Sequence, residues 1–222
     1  MIFDAPSHIY STAINLNNDG VAFFSRGDFE EASHSFKGAL EAMKSLIILD
    51  VGFNADQYAQ YETNVEFQWS GNPPSHFSDE ASFVYRRALI IVPSSGYPSH
   101  GCQEESRAII FNTALSYHLL ALQRNCSRIM ARSLSLYQIA DDFGKRKDEP
   151  KLEGEKLVEA VILNNVGQLC IECYNYDIAR RCFNELSKRI ISLNQSGYLE
   201  KCDCEGFLLN LLLEEPTLAA AA

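Results

Sequence analysis

A shift of 147 positions lays one stretch of this chain onto another. Residues 13–40 fall on 160–187, with Ala13 on Ala160, Leu16 on Leu163, Asn17 and Asn18 on Asn164 and Asn165, Gly20 on Gly167, Ala32 on Ala179 and Phe36 on Phe183. Apolar residues at helical spacing, with small residues on both sides of a turn, describe two antiparallel helices packed against each other. Gly20 and Ala32 lie twelve residues apart across that turn, where helices approach closely only if both contact residues are small. Phe36 and Phe23 fill the space on either side. The fold class this predicts is all-α, an array of antiparallel helix hairpins, interrupted by one irregular insertion.

Periodicity places the units. Residues 13–48 form the first hairpin, with Gly27-Asp28 as its punctuation and Asp28 and Glu31 as a capping box. Residues 104–143 form a degenerate second repeat, with helices over 104–124 and 127–143. Residues 153–193 form the third, with helices over 153–173 and 176–193. A last helix over 203–214, apolar nearly all round through Phe207 and five leucines, caps the array, and the Ala-rich tail from Pro216 frays. Residues 51–101 differ. Asn72-Pro73-Pro74-Ser75 and the Pro93–Pro98 stretch break any helix. Between them Phe83–Val92 is rich in β-branched and aromatic residues, as a strand or an extended segment laid on the core would be. About 50 residues with so many breakers make a poor core alone, so they read as an insertion in a single domain of 222 residues.

The small–aromatic spacing on the first helix, with Ala, Phe, Ala on the second, resembles tetratricopeptide repeats. Leu16, Gly20, Phe23, Ala32, Phe36 and Ala39 match that pattern. Leu163, Gly167, Ala179 and Phe183 match it too, with Cys170 in place of the aromatic and Leu186 in place of the final small residue. In the middle unit Ile110, Ala114 and Tyr117 fit the first helix and Ser133, Tyr137 and Ala140 the second, with a turn about seven residues longer than the family's. The Leu-Asn-Asn form resembles the repeats of kinesin light chains and related cargo adaptors. The resemblance covers somewhat over 100 residues and leaves 50–100 unexplained.

What the resemblance implies is a protein-interaction scaffold, in which the first helices line a concave groove that takes an extended peptide or partner protein. Asn18, Asn112 and Asn165 each stand two positions after a large apolar residue and two before a small one. They match the groove position at which the family uses asparagine to bond a peptide's backbone, a task that suits a side chain offering both donor and acceptor. Asn17, Asn164, Phe111 and Gln168 are neighbouring groove positions, as are Val21, Phe24, Leu115, His118 and Ile171. An alternative stays open, in which each asparagine bonds the adjacent repeat and holds the stack. The family's clamp for a terminal carboxylate is missing, because Asn17 and Asn164 replace its lysine and Val21 its asparagine.

Other chemistry finds less support. Cys170 and Cys173 share a helix face, but no second pair follows at a zinc-ribbon interval, so they read as small apolar filler. The loop Ser94–Cys102 holds nucleophile and base types without a strand–turn–helix setting to orient them. The expectation is therefore no enzyme, catalytic residue, metal or cofactor. The rival readings are a thiol, metal-binding or small enzymatic protein on a helical-repeat scaffold, or a purely structural subunit. A net charge of -10 with scattered Lys and Arg argues against a nucleic-acid partner. No apolar run is long enough for a bilayer. Seven cysteines without a framework spacing and no signal peptide point to the cytoplasm or the nucleus.

Overall fold

The computed structural model describes residues 5–50, 66–71, 83–92, 102–145 and 153–219. These residues are mostly helical and carry seven helices and two short strands. The helices are α1 (Ala5–Ser25), α2 (Phe29–Asp50), α3 (Gln103–Arg124), α4 (Ser127–Gly144), α5 (Glu153–Glu172), α6 (Tyr176–Gln195) and α7 (Lys201–Ala219). The strands β1 (Glu66–Trp69) and β2 (Leu89–Val92) pair antiparallel, with Trp69 opposite Leu89 and Phe67 opposite Ile91. The all-α hairpin architecture and a β-containing insertion are thus both present. α1 begins two turns earlier than its apolar periodicity, with Pro6 in its first turn, where a missing N–H costs nothing.

The chain divides into two compact units. One comprises residues 1–74 and 87–143 and holds α1, α2, both strands, α3 and nearly all of α4. The other comprises 75–86 and 144–222 and holds α5, α6 and α7.

Each unit contains the same hairpin, built around a missing side chain. A Cβ on Gly20 would stand 2.5 Å from the Phe36 ring, and one on Gly167 would stand 2.5 Å from the ring of Phe183. The glycine therefore makes room for an aromatic ring from the second helix of its own hairpin. Ala32 and Ala179 are fully buried beside it. Phe23, expected as a filler, is half-buried and lies under the Arg26 guanidinium instead, with 4.8 Å between guanidinium carbon and ring centre.

The turns are also alike. After α1 the Gly27 N–H donates to Phe24 C=O and the Asp28 N–H to Phe23 C=O. Asn125 and Cys126 after α3, Tyr174 and Asn175 after α5, and Gly197 and Tyr198 after α6 repeat that pair of bonds. The motif needs a left-handed residue at its first position, and Gly27 (φ 87°), Asn125 (φ 46°), Tyr174 (φ 58°) and Gly197 (φ 70°) supply it. The long turn expected in the middle unit is therefore absent. Asn112 stands thirteen residues before its left-handed residue and Asn18 only nine, while Ser133 lies eight beyond and Ala32 five. The seven extra residues lengthen the two arms by about one helical turn each, and the arms stay in register because 3.6 residues close a turn. At this level Ala114 takes the small position, and Ser133 Oγ donates across the pair to its carbonyl at 2.7 Å.

Candidate peptide-binding site

In the first unit, α1 presents Asn17 and Asn18, and α3 presents Asn112. All three turn toward β2. The Leu89 N–H donates to Asn112 Oδ1 at 2.8 Å, and Asn112 Nδ2 donates back to the Leu89 carbonyl at 2.8 Å. Two residues on, the Ile91 N–H donates to Asn18 Oδ1 at 3.0 Å and Asn18 Nδ2 to the Ile91 carbonyl at 2.9 Å. Asn17 braces both clamps. Its Nδ2 donates to Leu89 C=O and to Asn18 Oδ1, each at 3.1 Å, and its Oδ1 accepts from Asn112 Nδ2 at 2.9 Å.

The second unit repeats this bond for bond. The Tyr85 N–H donates to Asn165 Oδ1 and Asn165 Nδ2 to Tyr85 C=O, both at 3.0 Å. The Phe83 N–H donates to Asn210 Oδ1 at 2.8 Å, and Asn210 Nδ2 donates to Phe83 C=O at 2.6 Å. Asn164 is the brace, donating to Phe83 C=O at 3.1 Å and Asn165 Oδ1 at 3.0 Å while accepting from Asn210 Nδ2 at 2.7 Å.

Only an amide can do this. A carboxylate cannot donate, a hydroxyl cannot span both backbone groups, and a glutamine would bring another rotatable bond. The clamped residues alternate, 83 and 85 in one unit and 89 and 91 in the other, as an extended chain requires when one edge faces the same partner. In the first unit the opposite edge is paired as well. The Ser70 N–H donates to Ala88 C=O at 2.8 Å, Ser70 Oγ accepts from the Ala88 N–H at 2.9 Å, and β1 continues the ladder. The asparagine side chains stand where a further strand would be, and so satisfy main-chain groups buried among helices.

The side chains of the segment explain its burial. Tyr85, Ala88, Leu89 and Ile91 are almost wholly enclosed, while Phe83 is half-buried. The Tyr85 ring stacks on Phe207 with centroids 5.7 Å apart and planes 4° from parallel, and Phe83 meets Phe207 edge-on at 5.6 Å. Gly206 makes this possible, since a Cβ there would lie 2.4 Å from the Phe83 ring.

All three recurrent asparagines, with Asn17 and Asn164, therefore hold an extended backbone, and that backbone is the chain's own residues 83–91. Phe111 is core: fully buried, 6.0 Å edge-on from Trp69 and 6.0 Å from Tyr137. Gln168 is buried on α5, three residues past Asn165. Phe24 packs on Phe29 at 5.2 Å and His118 lies edge-on to Tyr137 at 6.1 Å, both fully inside. The residue that the pattern misses is Asn210. Leu208 stands two before it, as the pattern asks, but Leu212 replaces the small residue two after.

Burial pushes the Cys170 thiol up to about 11, with a smaller contribution from Cys173, so it stays protonated at neutral pH. Among the described residues no group of three or more His, Cys, Asp or Glu is placed to hold a metal ion, and no helix is long and apolar enough to cross a membrane. The loop Ser94–Gly101 lies outside the described residues, and Cys102 is buried at the start of α3. The chain matches no family model, no curated protein and no solved structure.

Proposed function

We propose that this protein is an interaction scaffold of the tetratricopeptide-like kind, and that its asparagine triads are receivers for an extended peptide. The observation that carries this reading is the bond-for-bond recurrence of one triad around two different dipeptide steps, Phe83–Tyr85 and Leu89–Ile91. The recognition is entirely main-chain, so the triads read an extended conformation and leave sequence preference to the surrounding side chains. In this role the protein performs no reaction and needs no metal or cofactor. Its partner is a protein or peptide held by backbone hydrogen bonds, with neither nucleic acid nor membrane involved, and a cytoplasmic or nuclear setting suits its thiols.

A second reading rests on the near-complete burial of Tyr85, Leu89 and Ile91. Here the triads hold the chain's own segment for good, and partners meet another surface. Panning a library of unstructured peptides against the purified protein separates the two. Receivers should enrich extended peptides that no longer bind an Asn165→Ala/Asn210→Ala variant shown to be folded by its cooperative melt. Enriched peptides that bind that variant equally well would assign recognition to another surface.

A further inference from the structure

We propose that the triad Asn164–Asn165–Asn210 is an exchangeable half-site, with Phe83–Arg86 as its tethered occupant. The trans ligand it accepts is an extended protein segment with aromatic residues at two alternate positions. This rests on the receiver reading above and adds which triad opens and what it selects.

Three features of the second unit support it. The clamp uses only the N–H and C=O of residues 83 and 85, so a replacement peptide regains every bond, provided neither position is proline. Side-chain selection is separate and is made by α7. Phe207 offers a flat face to the Tyr85 ring and an edge to Phe83, and Gly206 removes the one carbon that would close the Phe83 position. An aliphatic side chain would leave the Phe207 face unstacked, and a charged one would be desolvated against it.

The third feature is unequal anchorage. Leu89 and Ile91 are enclosed and belong to a strand paired with β1, whereas Tyr85, equally enclosed, lies outside that strand and Phe83 is only half-buried. Lifting Phe83–Arg86 breaks no rung of the β1–β2 ladder and can begin at its half-buried end, Phe83. The tethered segment competes at an effective concentration on the order of millimolar, so a free peptide binds the native protein weakly until its own rings outcompete those of Phe83 and Tyr85.

The test uses the full chain and an end-blocked peptide, Ser-Phe-Val-Tyr-Arg, copied from residues 82–86. Amide hydrogen exchange is followed as the peptide is titrated. Excess peptide should speed exchange at Phe83 and Tyr85 and leave Leu89 and Ile91 unchanged. Phe83→Ala, which weakens the tethered competitor at its half-exposed end, should tighten peptide binding about tenfold, the scale of one part-buried aromatic contact. A peptide with alanine at both aromatic positions should do neither. Binding to Phe83→Ala but not to the native protein would overturn exchange while leaving the receiver reading standing. Binding to neither would overturn both. Equal binding of the alanine peptide, or binding that leaves Phe83 and Tyr85 exchange unmoved, would overturn the aromatic half-site.

Discussion

The two asparagine triads use the same atoms in the same order but hold different cargo. Around Asn17, Asn18 and Asn112 the clamped residues are aliphatic, enclosed and already part of a sheet. Around Asn164, Asn165 and Asn210 they are aromatic, and one of them is half-open to solvent. Hydrogen bonding alone would make the sites equivalent. Within each triad one clamp is closed, Asn112–Leu89 or Asn165–Tyr85, and one is part-open, Asn18–Ile91 or Asn210–Phe83. An unmade bond costs its full desolvation penalty only where water cannot replace the lost partner. A main-chain clamp is thus generic hardware, and its strength is set by the apolar surface behind it.

The largest test of that contrast compares the two clamps that bond alike. Asn112→Ala leaves the Leu89 N–H and the Asn17 amide oxygen without partners in a closed interior, and should lower unfolding free energy by about 3 kcal/mol. Asn210→Ala leaves the Asn164 amide oxygen equally unpartnered, but the bonds it removes from Phe83 are only part-buried, so it should cost less, about 2 kcal/mol. Equal losses in urea titrations would break the comparison. The glycines come next, where the two units should behave alike. Gly20→Ala and Gly167→Ala each place a Cβ against a buried ring and should cost about 1–3 kcal/mol, even though alanine is the better helix former by about 1 kcal/mol. A stabilising outcome in either would show that its ring is free to move. Ser133→Ala should cost about 1 kcal/mol by removing the one hydroxyl that ties α4 to the Ala114 carbonyl.

The smallest effects lie in the turns and carry opposite signs. Tyr174 occupies the left-handed position that Gly27 fills in the first hairpin, and its side chain is 81% exposed. Tyr174→Gly should therefore raise the melting temperature slightly, a gain of roughly 1 kcal/mol less the flexibility that glycine adds to the unfolded chain. Gly27→Ala should lower it by a similar amount.

Much of this is legible in the amino-acid sequence. The helix pairs followed from period and from small residues flanking a turn, and the asparagines from recurrence, because each repeat faces the same physical problem. From sequence the longer arms of the middle pair look like a longer turn, since seven added residues shift the spacing between Ala114 and Ser133 alike wherever they are inserted. Asn210 escaped because Leu212 spoils the pattern. The occupant escaped for a deeper reason. A clamp that bonds only main chain imposes no residue type at positions 83, 85, 89 and 91, so the sequence of Phe83–Val92 could show an extended segment but not what receives it. Phe111 looked like a groove residue from its place beside Asn112, yet one residue along a helix turns a side chain by about 100°.

The defining property of the clamp is that an asparagine side chain holds the Leu89 main chain. Amide exchange at Leu89, measured against Ile90 on the paired edge of the same strand in native protein and in Asn112→Ala, asks this directly. The clamp requires Leu89 to be as protected as Ile90 in the native protein and to lose about a hundredfold of that protection in the variant while Ile90 keeps its own, about 2.7 kcal/mol of local closure. Leu89 and Ile90 changing together, or Leu89 exchanging freely from the start, would contradict it.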